Sequence, residues 1–190
     1  MTRKFIGLTA VLVAATLLQG CFPLAVTGMG AAALMASDRR TTGMYIEDET
    51  IEWKVIPRLR NDFPGAHVNA TSFNRRVLLT GEAPNEEAKA KIEEAVRRVE
   101  NVREVTNELQ VAGASSLASR GNDALVTSNV KARMVNNGRF SPNHVKVVTE
   151  QGAVYLMGIV TQAEGDAAVE ITRNASGVSR VVKVFEYAVP

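Results

Sequence analysis

Two stretches of the chain carry the same pattern and decide the fold: Arg76-Val77-Leu78-Leu79-Thr80-Gly81-Glu82-Ala83 and Ala153-Val154-Tyr155-Leu156-Met157-Gly158-Ile159-Val160. Each is a run of residues with high β propensity that contains one glycine near its end, and the two glycines lie 77 positions apart. Farther on, Val102-Arg103-Glu104-Val105 corresponds to Val178-Ser179-Arg180-Val181 at an offset of 76. A pattern repeated at this spacing indicates two copies of one small structural unit.

Each copy is predicted to fold as helix, strand, strand, helix and strand, because apolar alternation gives way to helical spacing at the same points in both. In the second copy, Asp123 is predicted to cap the first helix. The core stripe of that helix is predicted at Val126, Val130 and Met134. The pattern Thr161-Gln162-Ala163-Glu164 is a capping box that opens the second helix. The strands of this copy are predicted at residues 144–149, 153–160 and 178–188.

The first copy has the same order, with one conflict in its opening helix, which is predicted at residues 50–60. Pro57 lies inside that range, and an interior proline costs about 3 kcal/mol because it removes a backbone hydrogen bond and clashes with the preceding turn. We therefore expect this helix to be kinked or to begin later than residue 50. The other elements are predicted as a strand at residues 68–73, a turn at 74–76 followed by the paired strand, a helix at 85–100 and a strand at 102–111.

This order predicts an α+β protein with two tandem αββαβ domains, each a three-stranded mixed sheet with two helices on one face. The domains are predicted at residues 44–112 and 123–190, joined by a linker rich in small residues at 113–122. Gly81 and Gly158, expected just after the second strands, are interpreted as structural, because a Cβ would collide there or the backbone needs a positive φ. A direct role in holding a ligand is the alternative.

The N-terminus has the features of a lipoprotein export signal. Arg3 and Lys4 precede an apolar run, residues 5–18, which is shorter than the roughly 20 residues of a membrane-spanning helix. Leu18-Gln19-Gly20-Cys21 resembles a bacterial lipobox, although Gln19 replaces the usual small residue. We predict a signal peptide at 1–20, lipid on Cys21 and a lipidated flexible tether at 21–43. The alternative is an ordinary cleaved signal with a chance cysteine.

Composition excludes several kinds of function. Without Arg3 and Lys4 the chain has 20 basic and 20 acidic residues, which gives no general attraction to nucleic acid. One cysteine excludes an intramolecular disulfide, and two histidines, His67 and His144, are too few for a histidine-rich metal site. The sequence contains no nucleophile elbow, P-loop or dinucleotide fingerprint. We predict that the protein is not an enzyme and has no cofactor, catalytic residue or metal site.

The two αββαβ units, each with a glycine at its second strand, resemble BON domains over roughly residues 45–111 and 123–188. A lipobox followed by two such domains is similar to the dual-BON outer-membrane lipoproteins of Gram-negative bacteria. The resemblance implies a lipid-anchored protein on the periplasmic face of the outer membrane that supports envelope integrity at the division site. It also implies binding of anionic phospholipid, such as phosphatidylglycerol, through the first helix of the second domain. There the family has an aromatic residue that helps insertion, and Leu125 stands at the matching position.

That helix also supports lipid binding by its own residues, because apolar side chains off the predicted core stripe lie beside basic ones. Residues 113–190 carry 8 basic and 6 acidic residues, against 10 and 13 in residues 44–112, so the second half suits an anionic surface better. Alternatively, the apolar groups pack against the first domain and the charges are ordinary solvated ones. The candidate lipid contacts are Leu125, Val126, Lys131, Ala132, Arg133, Val135 and Arg139.

A second function hypothesis is an adaptor that binds a protein of the envelope, such as a division, cell-wall-remodelling or outer-membrane assembly factor. In such an adaptor the two domains would pack together, and an exposed face would contact the partner. Trp53 and Tyr155 are single aromatic residues, and we expect them in the core or partly buried; a sugar-binding platform is the alternative.

Overall fold

The computed structural model describes residues 38–188, so the predicted signal peptide, the lipidated Cys21 and most of the predicted tether lie outside the described residues. Ser37–Pro190 forms one compact unit. Within residues 38–188, no helix combines the length and the apolar character that crossing a membrane requires.

The first domain consists of α1 (Thr42–Asp62), β1 (His67–Phe73), β2 (Arg76–Ala83), α2 (Glu86–Arg97), β3 (Glu104–Asn107) and the short β4 (Gln110–Val111). β1 pairs antiparallel with β2, which pairs parallel with both β3 and β4. The last two strands therefore share one position in the sheet and are separated only at Glu108 and Leu109. This is the predicted mixed sheet.

The second domain repeats this order with α3 (Leu117–Val135), a 3-10 turn (Pro142–His144), β5 (Lys146–Glu150), β6 (Ala153–Val160), α4 (Gln162–Arg173) and β7 (Arg180–Tyr187). β5 pairs antiparallel with β6, and β6 pairs parallel with β7. The capping box forms as predicted, with the Thr161 side chain and the Glu164 side chain each accepting a backbone N–H of the other. The α+β fold with two αββαβ units is confirmed.

Helix α1 is longer than predicted and contains its proline. It begins at Thr42, where the Thr41 hydroxyl accepts a hydrogen bond from the Met44 N–H at 3.2 Å, and it continues to Asp62 with Pro57 inside. The expected later start is therefore wrong. Tertiary packing outweighs the local cost of the proline, because one buried apolar residue per turn anchors the helix on both sides of it. These core residues are Ile51, Val55 and Leu59.

Helix α3 also begins earlier than predicted. The Ser116 hydroxyl accepts the Ser119 N–H at 3.1 Å and caps the helix, so the second half of the predicted linker is helical. Asp123 consequently lies inside α3, and its predicted role as the helix cap is wrong. Its buried carboxylate instead accepts the N–H groups of Gln151 and Gly152, at 2.9 and 2.8 Å, in the turn between β5 and β6.

The end of the predicted tether is folded against the second domain. Arg39 donates hydrogen bonds to both carboxylate oxygens of Glu164, at 2.6 and 2.9 Å, and to the Ile159 carbonyl at 2.9 Å. Burial alone would raise the pKa of Glu164, but hydrogen bonds from Arg39 and Thr161 outweigh burial and lower that pKa to about 2. The prediction of a flexible tether up to residue 43 is wrong for residues 38–43, because this ion pair and the start of α1 fix them.

The next residue, Arg40, ties the same segment to the first domain. Its guanidinium donates to Asp38 at 2.7 Å and to the buried Asp48 at 2.8 Å, and it lies over the ring of Phe73 with its central carbon 4.0 Å from the ring centroid. Burial opposes the charge of Arg40, yet the two carboxylates outweigh burial and raise its pKa. Residues 38–40 therefore contact both domains.

Each domain has its own core between its sheet and its two helices, and a third apolar cluster joins the domains. Helices cover only one face of each sheet, so the other face would expose apolar side chains unless something packed on it. The two uncovered faces pack on each other, and the domains therefore touch. The residues buried in this third cluster are Phe73 and Leu78 of the first domain and Ala153, Tyr155, Met157 and Val184 of the second.

Candidate lipid-binding surface

Helix α3 has a buried face and an outer face, and one of the candidate lipid contacts lies on the wrong one. Val126 is 4% exposed and packs in the core of the second domain with Val130 and Met134. The prediction that Val126 contacts lipid is wrong, because the same four-residue spacing that makes it part of the core stripe turns it away from solvent.

The outer face of α3 is apolar and exposed. Leu125 and Val135 are 71% and 66% exposed, so they do not pack against the first domain, which was the alternative reading of them. Leu117 lies on the same side of the helix and is 82% exposed. Leu117 is absent from the predicted lipid contacts because the small residues around it predict a linker at this position. Small residues fill the rest of this face, including Gly121, Ala124, Ser128 and Ala132.

The exposed charged residues of α3 itself are all basic. Asp123 is the only acidic residue of Leu117–Val135, and its side chain is buried on the inner side of the helix. Lys131 and Arg133 are exposed, and within residues 38–188 neither forms an ion pair. Arg139, by contrast, pairs with Glu170 at 2.7 Å. The helix thus presents apolar groups flanked by two free cations and no exposed anion.

Beside the C-terminal end of α3, the structure brings three of the candidate residues together around an open groove of about 430 Å³. Ala132 forms an apolar wall, and Arg133 and Arg139 supply charge. Asn136 and Asn137 follow at the end of the helix, and their side-chain amides donate to the backbone carbonyl oxygens of Ala132 and Met134. The lining includes Ala132, Arg133, Asn136, Arg139, Glu170 and Ile171.

Two buried aspartates position the first helix of each domain on its sheet. Asp123 in α3 holds the hairpin turn of its own domain, as described above. Asp48 in α1 does the same for its domain, because its carboxylate accepts the Asn74 and Arg75 N–H groups, both at 2.8 Å. A β-turn with residues at positive φ leaves such N–H groups unpaired, and a buried carboxylate satisfies them. Asp48 and Asp123 lie 75 positions apart, close to the spacing of the repeat, and this spacing is the sequence signal for the pair.

The two glycines of the repeat lie within β2 and β6 and not after them. A Cβ on Gly81 would lie 2.1 Å from the His67 carbonyl oxygen, and one on Gly158 would lie 2.1 Å from the His144 carbonyl oxygen. Both distances are far below van der Waals contact, and Gly81 also has a φ of +108°. The close approach of the preceding strand therefore accounts for glycine at both positions.

Helix α1 of the first domain has an exposed apolar ridge of its own. Trp53 is 78% exposed, so the expectation that it is in the core or partly buried is wrong. Ile46 and Ile56 lie on the same side of α1 at helical spacing and are 59% and 37% exposed. Tyr155, the other lone aromatic, is buried between the domains as expected.

Comparison with known proteins agrees with this architecture. The family model of the BON domain matches the chain twice, at residues 47–113 and 122–189. These two matches cover most of the chain and coincide with the two αββαβ units of the structure. The chain therefore belongs to the BON-domain family.

Among characterised relatives, the chain is 42% identical over 191 residues to "Outer membrane lipoprotein DolP" of Haemophilus influenzae, a match that covers 98% of this chain and 99% of that one. It is 33% identical to "21 kDa hemolysin" of Actinobacillus pleuropneumoniae, with 79% of each chain covered. It is also 30% identical to "Osmotically-inducible protein Y" of Escherichia coli strain K12, covering 82% of this chain and 80% of that one.

Proposed function

We propose that the chain is a non-enzymatic outer-membrane lipoprotein, anchored through lipid on Cys21 at the periplasmic face, whose second domain binds anionic phospholipid. The outer face of α3 carries the proposal, because it combines exposed apolar side chains with free cations and has no exposed acidic residue. The relative named as an outer membrane lipoprotein is similar over nearly the whole chain, which supports the location. Support of envelope integrity, with enrichment at the division site, is part of the same proposal.

Two modest contributions, one apolar and one electrostatic, make up the expected free energy of membrane binding by the second domain. A leucine or valine side chain gains about 1.5–3 kcal/mol when it is fully buried, and at a membrane interface Leu117, Leu125 and Val135 would gain part of this. Lys131 and Arg133 add about 1 kcal/mol each near an anionic surface. Neither term gives firm binding alone, so the domain should bind anionic membranes selectively and weakly. Stable attachment then depends on the lipid anchor.

The packing of the second domain supports this role for the outer face of α3. The back of its sheet is covered by the first domain, and the inner face of α3 is covered by its own core. The outer face of α3 is therefore left for an external partner. The groove at the end of this face is lined by Arg133, which has no ion pair, and by Arg139, which would exchange Glu170 for the phosphate of a lipid headgroup.

Flotation with liposomes tests the proposal. The unit Ser37–Pro190 has no acyl chain, so its binding reports the protein surface alone. We expect it to float with vesicles containing phosphatidylglycerol and not with pure phosphatidylcholine vesicles. Leu125→Glu should abolish flotation, because it places a charge at the centre of the inserting face. The matched control is Ile46→Glu, an equally drastic change at an exposed apolar residue of α1. Equal flotation of wild type and Leu125→Glu would refute the site.

The exposed ridge of α1 favours a second candidate function, the protein adaptor. An exposed tryptophan between two isoleucines is typical of the centre of a protein interface. Incorporation of a photoreactive amino acid at position 53 in cells should then yield a discrete crosslinked protein, and the same substitution at exposed Glu94 should not. If no crosslink specific to position 53 forms, the adaptor hypothesis loses its support and lipid binding stands alone.

A further inference from the structure

Two buried carboxylates meet a histidine at the boundary between the domains. Glu82 near the end of β2 is 1% exposed, and Glu150 at the end of β5 is 5% exposed. His67, at the start of β1, completes the group, and one nitrogen or oxygen atom from each of the three residues lies within 4.8 Å of the others. The first domain supplies His67 and Glu82, and the second supplies Glu150.

The protein groups that contact these carboxylates are one histidine and neutral hydrogen-bond donors, among them the side-chain amide of Gln151, which donates to Glu82 Oε1. Glu82 Oε2 lies 3.0 Å from His67 Nδ1 and accepts the Ser115 N–H at 3.1 Å, and Glu150 accepts the side-chain amide of Asn69 at 2.9 Å. Among residues 38–188, no lysine or arginine forms an ion pair with either glutamate. Each carboxylate oxygen has two lone pairs, so both side chains keep acceptor capacity that a bound cation can use.

The cluster also has a route to solvent. A cleft of about 510 Å³ lies between the domains, and its lining includes His67 and Glu150 together with Asn69. An ion can therefore reach His67 and Glu150 from solvent without unfolding either domain. Burial of the ligands and access through a cleft are both needed for a site that exchanges its ion.

We propose that His67, Glu82 and Glu150 bind one divalent transition-metal ion, with Zn²⁺ as the probe, and that the ion fastens the two domains together. One imidazole nitrogen and two carboxylate oxygens match the ligands of Zn²⁺, with water in the remaining position. Ca²⁺ and Mg²⁺ prefer sites made only of oxygen. Sequence spacing gives no signal for the site, because its ligands lie at positions 67, 82 and 150 in different domains.

An ion at this site would make the thermal stability of the two-domain unit depend on the ion concentration. An ion held by both domains binds the folded unit and not the unfolded chain, so it must raise the unfolding temperature. It would also hold the second domain, and with it α3, in one orientation relative to the first.

The test uses the unit Ser37–Pro190 without an affinity tag, stripped with EDTA and titrated with ZnCl₂ by calorimetry, with a thermal melt at each concentration. We expect one Zn²⁺ per chain, a rise in Tm, and no comparable effect of Mg²⁺. His67→Asn and Glu150→Gln should each weaken Zn²⁺ binding about tenfold or more. The matched control His144→Asn alters the only other histidine and should bind as the wild type does.

Several results would overturn the proposal. Absence of Zn²⁺ binding by the wild type is the first. Unchanged binding by both His67→Asn and Glu150→Gln is the second, and loss of binding in His144→Asn is the third, because it would place the ion elsewhere. Circular dichroism of each variant checks folding, and because the two substitutions lie in different domains, either one that folds decides the question.

Discussion

We predict that Glu164→Gln destabilises the protein, because it removes the ion pair between Arg39 and Glu164. A carboxyl whose pKa falls from 4.5 to about 2 on folding contributes on the order of 3 kcal/mol at neutral pH. The side chains are 30% and 14% exposed, so screening by solvent lowers this figure. Glutamine at this position still completes a capping box, so the substitution removes the charge and keeps the cap. We expect a loss of about 1–3 kcal/mol at pH 7.

The pH dependence gives the sign of the effect. The pKa of Glu164 is lower in the folded protein than in the unfolded chain, so its contribution is fully present above about pH 4.5 and is lost as the pH falls toward 2. The difference in unfolding free energy between wild type and Glu164→Gln should therefore shrink over this range. Urea unfolding of the Ser37–Pro190 unit at a series of pH values measures it.

The control for this prediction is the exposed pair of Arg139 and Glu170. Its side chains are 46% and 64% exposed, so Glu170→Gln should cost less than about 1 kcal/mol and show little pH dependence. A Glu164→Gln variant as stable as wild type at pH 7, or a gap that does not shrink on acidification, would refute the reasoning. Arg39→Gln combined with Glu164→Gln should show a clear coupling energy.

Three further predictions concern contacts within the second domain and between the two domains. Gly158→Ala should lower stability by about 3 kcal/mol or more, because its Cβ would lie 2.1 Å from the His144 carbonyl, and a Tm within 2 °C of wild type would contradict this. Asp123→Ala should cost about 2–5 kcal/mol in urea unfolding, because it leaves two turn N–H groups without a partner, and a cost below 1 kcal/mol would show that water replaces the carboxylate. Phe73→Ala should cost about 3–5 kcal/mol and speed amide hydrogen exchange in β6, across the boundary; unchanged exchange there would mean that the domains are stable independently.

The strands and the helix caps formed by local patterns could be predicted from the sequence. The continuous apolar run at residues 153–160 and the capping box at Thr161 depend only on neighbouring residues, and the structure has the strand and the cap where these patterns indicate. The start of α3 could not be predicted in the same way. Ser116 and Asp123 are both good helix caps, and the choice between them depends on the distant turn that takes up the Asp123 carboxylate.

The packing of the two domains on each other could not be predicted from the sequence. Tyr155 and Met157 alternate with core residues along β6, which indicates only that both faces of the strand are buried. It does not indicate that the second face packs on Phe73 of the other domain. The exposure of Trp53 is the same kind of surprise, because an aromatic residue is usually covered.

On the candidate lipid surface, the apolar and basic residues of α3 were predictable from helical spacing, and the exceptions have a simple cause. Val126 was predicted both in the core stripe and among the lipid contacts, and the core packing confirms only the first of these assignments. The lack of exposed acidic residues on α3 is visible in the sequence only once Asp123 is known to be buried.

Insertion of the outer face of α3 into an anionic membrane is the central claim, and a fluorescent reporter at position 125 tests it most directly. The unit Ser37–Pro190 contains no cysteine, so Leu125→Cys can be labelled alone with an environment-sensitive dye, and Ile46→Cys serves as the matched site on α1. On adding phosphatidylglycerol vesicles, we predict a blue shift and brightening of the dye at 125, weakened by salt, and no change at 46. An unchanged spectrum at 125, or an equal change at both sites, would contradict the account.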